Sequence, residues 1–187
     1  GGQANGDWMH INAVHYNEHL DQIVFSSRHQ DELYIIDHST TTEEAASHQG
    51  GNSEKGGDIL YRWGNPENYN RGDDSDKILS SQHSVNWISS GYPGEGNLIL
   101  FNNFHNHNDN SAVLELNTPV DDNGNYILND NESFGPVSWE WIHMLDMIIP
   151  MQGGAFRLPN GNTLITQTQT AEIFEVDMDG NNLWEYS

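Results

Sequence analysis

The chain has 187 residues, with Lys plus Arg at 6 against Asp plus Glu at 28, a formal charge of −22 with His neutral. That charge repels nucleic acid and anionic membranes, and no run of about 18 apolar residues is present to span a bilayer. Cys is absent, which removes disulfides, thiol nucleophiles and Cys-ligated zinc, and the length suits one domain able to bury a core.

The first residues, Gly1-Gly2-Gln3-Ala4-Asn5, do not form a signal peptide. Either a leader has been removed or the chain begins inside a longer polypeptide. Aromatic residues make up 10% and sit in short apolar runs, so the acidic composition reads as the surface of a folded domain and not as disorder. Such a surface suits salty or calcium-containing surroundings.

Short strands follow one another along the chain, separated by turn signals such as Pro93-Gly94, Asn123-Gly124, Pro159-Asn160-Gly161 and Asp179-Gly180. The first group is His10–Val14, Gln22–Ser27, Leu33–Asp37 and Asp58–Trp63. Within it, Thr41–His48 is the best helix candidate, because Thr41 and Glu44 have capping-box spacing. The second group is His83–Trp87, Asn97–Asn102, Ala112–Leu116 and Val137–Trp141. The third is Gln152–Phe156, Asn162–Gln167, Glu172–Asp177 and Asn182–Tyr186. Each group is four strands, the last ending aromatic–charged–aromatic. Segments 38–57 and 65–81, rich in Gly, Asn, Asp and Ser, read as surface loops.

Serial four-stranded units predict an all-β fold, a β-propeller of four-stranded blades. The blades run approximately 8–63, 82–141 and 151–187, within one partial propeller domain over 1–187. About three blades are too few to close a ring, since closed propellers have about four to eight. The remaining blades must come from the same protein or a second copy.

In a propeller the first strand of each blade lines the central channel. His10, His83 and Gln152 are therefore the channel-lining starts, and Asn12 shares the direction of His10 because strand side chains alternate. Loops between second and third strands add Arg28 and His29, then Asn102, Asn103, His105 and His107, then Thr168 and Gln169. Polar groups from three blades would meet at one mouth. Other groups have weaker readings. His105 and His107, two apart, have metal-ligand spacing but also suit a polar loop tip. His15 and His19 flank a hairpin turn and read as exposed. Asp73-Asp74-Ser75-Asp76 and Asp121-Asp122-Asn123-Gly124-Asn125 have calcium-loop composition without the spacing of a full site, so no metal ligands are assigned and calcium stays only a candidate ion. The aromatic pairs Tyr61/Trp63, Trp139/Trp141 and Trp184/Tyr186 read as core between blades.

Asp7-Trp8-Met9-His10-Ile11-Asn12, Leu20–Arg28, Gly57–Pro66, Gln82-His83, Gly96–Asn103 and Leu158–Ile165 resemble the arylsulfotransferase (ASST-like) propeller family over nearly the whole chain. The resemblance implies a six-bladed propeller, periplasmic or extracellular. It also implies an enzyme that moves a sulfuryl group from an aryl sulfate to a phenolic acceptor without a nucleotide donor or a required cofactor. A channel His would be sulfated while other His and Arg side chains hold the sulfate and move protons. His10 and His83 match two such channel positions and carry the catalytic expectation. Asn12, Arg28, Asn102, Asn103, His105 and Gln152 carry the substrate-binding one. Where the family often reads Phe-Asp/Asn-Asn-Gly followed by Arg, this chain has Phe101-Asn102-Asn103-Phe104-His105, so the anion-binding Arg is missing unless Arg28 or His105 replaces it, and Gln152 stands where a His nucleophile is expected. Three outcomes stay open: His10 or His83 is the nucleophile, it lies on another blade, or the propeller is non-catalytic and acts in ligand binding or assembly.

Overall fold

A computed structural model of the chain describes residues 6–105 and 110–187. It contains three four-stranded antiparallel sheets and a single short α-helix among these residues. The first sheet is β1 (Ile11–Asn17), β2 (Gln22–Ser27), β3 (Glu32–Asp37) and β4 (Tyr61–Trp63), in sequence order. The second is β5 (His83–Trp87), β6 (Leu98–His105), β7 (Asn110–Leu116) and β8 (Trp141–Met144). The third is β9 (Gly154–Arg157), β10 (Thr163–Gln167), β11 (Glu172–Val176) and β12 (Asn182–Tyr186). Helix α1 (Thr42–Ala45) carries the expected reciprocal cap between Thr41 and Glu44. The arrangement is propeller-like, with first strands as neighbours: β1 touches β5, and β5 touches β9.

Strand periodicity explains why the sheets stack. In the second sheet Leu98 and Leu100 of β6, with Ala112, Leu114 and Leu116 of β7, face the first sheet and meet Val24, Leu33, Ile35, Tyr61 and Trp63. The alternate residues Ile99, Phe101 and Val113 face the third sheet and meet Ala155, Ile165, Phe174 and Val176. A sheet buried on both faces must be apolar on both, which is why β6 and β7 read as nearly continuous apolar runs.

Two expectations need correction. The fourth strand of the second sheet is Trp141–Met144, not Val137–Trp141. Residues 117–140 instead form two isolated bridges and reach back to the first sheet, where the Tyr61 hydroxyl donates to the Gly135 carbonyl at 2.6 Å. Pairing of Ala112 with Met144 and Glu115 with Trp141 supplies a better alternating match for β7 than the segment before Trp141. The aromatic pairs also differ. Tyr61, Trp63 and Trp141 are buried and Trp139 packs on the first core, but Trp184 is 50% and Tyr186 66% exposed. No fourth sheet lies against the outer face of the third among the described residues. Phe156, Leu164, Glu175 and Trp184 line up across that face.

The acidic turns have a local explanation. The Asp73 and Asp121 carboxylates accept backbone N–H groups of their own turns, from Ser75 and from Asn123 and Asn125. These carboxylates satisfy turn amides and need no ion to justify their position.

Candidate functional site

Residues at or near the starts of the three first strands share one cleft, two of the expected starts, His83 and Gln152, among them. Asn12, His83, Asn86, Gln152 and Phe156 line one open cleft of ≈ 380 Å³. Each start contains a left-handed residue that is not glycine: His10 at φ 51°, Ser84 at 61° and Gln152 at 59°. In β1 and β5 the register also slips, between Ile11 and Ala13 and between His83 and Asn86. A left-handed L-residue costs about 1–2 kcal/mol, so the surrounding bonds must hold it, and such strain concentrates at functional sites.

His83 is held by Asn103. Its Nδ1 lies 2.7 Å from Asn103 Oδ1. The Asn103 amide nitrogen donates to the carbonyls of Ile149 and Gln152, both at 2.7 Å, which fixes the amide with its oxygen toward the imidazole. An amide oxygen only accepts, so Nδ1 carries the proton and Nε2 keeps its lone pair. Burial pushes the His83 pKa below the usual histidine value, and the charges of Arg28 and His10 push it the same way. Hydrogen bonding to Asn103 and to the Ser81 backbone pulls the other way, and the net fall favours the neutral ring, whose unprotonated nitrogen is basic and nucleophilic.

His10, expected to line the channel, is exposed and is not among the residues that line this cleft, nor is Arg28. The His10 Nδ1 is 2.6 Å from Asp7 Oδ2, and its ring lies 4.7 Å from that of His29. The His10 hydrogen bond holds the Asp7 carboxyl below the usual aspartate range. Arg28 begins the turn after β2, where its N–H donates to the His10 carbonyl at 3.1 Å. Arg62, Arg71, Lys77 and Arg157 each have a carboxylate partner, whereas Arg28 has none among the described residues. The charge of Arg28 reaches His83, and in so acidic a chain a guanidinium with no carboxylate partner among the described residues is available to an anionic ligand.

The other expected site residues divide differently. Gln152 is exposed at the cleft. Asn12 lines it too, but its amide nitrogen donates to the Gln82 carbonyl at 2.7 Å, and its Oδ1 is buried without a partner. Asn102 is fully buried: its nitrogen donates to the Ile78 carbonyl and its oxygen accepts from the Ser80 N–H, both at 2.9 Å. His105 is buried edge-on against Trp139, and burial lowers its pKa. Asn102 and His105 therefore fasten the segment before β5 to the second sheet and face away from the cleft lining. Asn103 is buried as well and acts on His83, as described. His107 lies outside the described residues. His15 is half-buried, not exposed as its place near the hairpin suggested: its Nδ1 accepts the Trp87 N–H at 3.3 Å. His19 is exposed.

Three partners escaped the sequence reading. Asp7 stands three residues before His10, in the very segment that carries the resemblance, yet only the positive φ at His10 turns the ring back onto it. Asn103 was read as a ligand contact and not as the group that orients His83. Gln82, fully buried, donates to Ser26 Oγ and to the carbonyls of Ser27 and Glu32, stapling the first two sheets beside the cleft.

A model of the arylsulfotransferase (ASST) family matches residues 1–133. No curated protein matches the chain. Among solved structures, a protein of unknown function from Bacteroides caccae is 12% identical with a TM-score of 0.48, over 95% of this chain and 45% of that one. A streptogramin B lyase structure is 13% identical with a TM-score of 0.41, over 94% of this chain and 54% of that one. The chain spans about half the length of both.

Proposed function

The chain belongs to the arylsulfotransferase (ASST) family, and from that premise we propose that it is part of a propeller that transfers a sulfuryl group from an aryl sulfate to a phenolic acceptor, with His83 as nucleophile. The single observation that supports this reading is the Asn103 contact, which puts the proton on Nδ1 of His83, a residue lining the cleft, and keeps the lone pair on Nε2. Nε2 attacks sulfur, the sulfur–aryl oxygen bond breaks, and the departing phenolate takes a proton from His10. The acceptor phenol then attacks the sulfated imidazole, gives its proton to His10 and restores His83. Arg28 holds the equatorial oxygens, where charge builds in a loose transition state, as cations do in phosphoryl transfer.

The reaction written this way requires no cofactor from outside, and its partners are small aromatic molecules. The outer face of the third sheet, with Trp184 and Tyr186 exposed, supports a larger ring of about six blades, completed by the same polypeptide or a second copy. A periplasmic or extracellular location follows from the family reading.

A second reading, a non-catalytic propeller that binds a ligand or builds an assembly, is favoured by Gln152. A carboxamide cannot accept and return a sulfuryl group as imidazole does. Full-length protein incubated with a chromogenic aryl sulfate and a phenol separates the two. Turnover, with a sulfated peptide containing His83 trapped in the absence of acceptor, supports the transfer reading. No release of chromophore and no sulfated peptide leaves the second.

A further inference from the structure

We propose that Asp7, His10 and His29 form a binding site for one divalent transition-metal ion of the zinc class. Their ligand atoms all lie within 4.8 Å of one another, and they are the only such set of three among the described residues. Zinc binds nitrogen and carboxylate oxygen at about 2.0–2.2 Å, so tetrahedral donors stand roughly 3.4 Å apart. The Asp7–His10 edge is 2.6 Å, a hydrogen bond through His10 Nδ1 that metal binding must replace: Nδ1 gives up its proton and the edge opens by roughly 0.8 Å. Bringing the other edges, none longer than 4.8 Å, to that spacing takes side-chain adjustments on the order of 1 Å.

The orientation of His29 is the second observation. Its Nδ1 lies 2.8 Å from the Asp7 backbone carbonyl, which only accepts, so Nδ1 is protonated and Nε2 offers a lone pair. Metal-ligating histidines almost always donate their other N–H in this way, which fixes tautomer and ring plane. The backbone beneath is pinned on both sides. The Arg28 N–H donates to the His10 carbonyl at 3.1 Å, the His29 N–H to Met9 at 3.2 Å, and Ser27 Oγ to Met9 at 2.6 Å. A site on paired segments holds its geometry better than one on a free loop.

The donor set selects the ion. Two imidazoles and one carboxylate suit zinc, cobalt, nickel or copper, whereas calcium takes about six to eight oxygens. The charge of −22 raises the local concentration of any dication. Two other surface pairs, His38–Asp21 at 2.7 Å and His48–Asp58 at 2.6 Å, have no third ligand among the described residues and serve as internal controls.

The test is metal uptake by the full-length protein after chelator treatment. Calorimetric titration with zinc chloride is expected to give one saturable site, with His29→Ala and Asp7→Asn each weakening it about tenfold or more. His48→Ala is expected to leave it unchanged. Absence of saturable uptake, or wild-type affinity in both Asp7→Asn and His29→Ala, overturns the proposal. If either variant fails to fold by circular dichroism, cobalt(II) added to wild-type protein decides: the imidazole resonances of His10 and His29 should be the ones shifted, and shifts confined to other histidines overturn it. Zinc on His10 would occupy the imidazole that carries the proton in the transfer reading, so bound zinc is expected to inhibit turnover; a protein inactive toward aryl sulfates without metal that still binds one zinc would sink the transfer reading and leave this site standing.

Discussion

His83 Nδ1 and Asn103 Oδ1 lie 2.7 Å apart, and this contact decides which nitrogen of the imidazole carries the proton. Replacing Asn103 with Asp puts a negative charge where a neutral dipole stood. The charge favours imidazolium, so the His83 pKa should rise by about one unit or more. An NMR titration of the His83 ring reads this directly, and the acid limb of any pH–rate profile should move to higher pH with it. An unchanged titration would show that Asn103 does not govern His83.

Burial lowers the pKa of four imidazoles, those of His15, His83, His105 and His143. A histidine whose folded pKa lies below its unfolded value, near 6.5, binds more protons unfolded. Its stabilising contribution is complete above about pH 6.5 and is lost as pH falls toward the folded pKa. In that window each such group changes stability by about 1.4 kcal/mol per pH unit. His105 is the cleanest case, being buried against Trp139. The stability gap between wild type and His105→Phe should therefore shrink between pH 7 and pH 5 in urea titrations. A constant gap would mean that His105 does not titrate differently in the folded state.

Gln82 joins the first two sheets through one buried amide nitrogen, at 2.8 Å from the Glu32 carbonyl and 3.0 Å from that of Ser27. Gln82→Ala removes this buried donor from the Glu32 carbonyl and from that of Ser27, which keeps only the Gln30 N–H at 3.3 Å outside the strand pairing, at a cost of roughly 2–3 kcal/mol. Gln82→Glu has the same volume and no donor in its ionised form, so it should be no better. Chemical denaturation measures both, and a loss below about 0.5 kcal/mol, typical of surface positions, would remove the staple.

Arg157 and Glu115 form an ion pair between the second and third sheets, with side chains only 1% and 5% exposed. The guanidinium also lies 4.9 Å from the centre of the Trp141 ring. Arg157→Met strands a buried carboxylate and should cost about 3–5 kcal/mol. Adding Glu115→Leu should recover a large part of that loss, because an apolar pair of similar volume needs no desolvated charge. Additive losses in the double variant would show that the two groups do not act as a pair.

The three-unit architecture was legible because its signals are local: alternating apolar residues, Gly and Asn turns, and one capping box. The strand starts at His83 and Asn182 fall where the periodicity puts them. The fourth strand of the second sheet was not legible, since Trp139 and Trp141 are equally good strand residues and only pairing across β7 chooses between registers. At the site, the meeting of His83 with Asn12 and Gln152 was readable from the repeat. The tasks of Asn102 and Asn103 were not. An asparagine at a strand end looks the same whether it meets a ligand or a backbone carbonyl, and only the fold supplies those carbonyls.

Trp184 carries the last prediction. It lies 50% exposed on the outer face of the third sheet, with Phe156 at 47%, Ile173 at 36% and Tyr186 at 66% beside it. A face this apolar on a strand sequence that alternates like the buried ones is a packing surface. If further blades cover it in the complete protein, Trp184→Ser in the full-length polypeptide should cost about 1.5–3 kcal/mol, the value for a buried aromatic. A solvent-facing Trp at the same place would shift stability by only about 0.5 kcal/mol in either direction. Denaturant midpoints of the full-length wild type and variant distinguish the two outcomes, and the smaller value would mean that the propeller ends at this sheet.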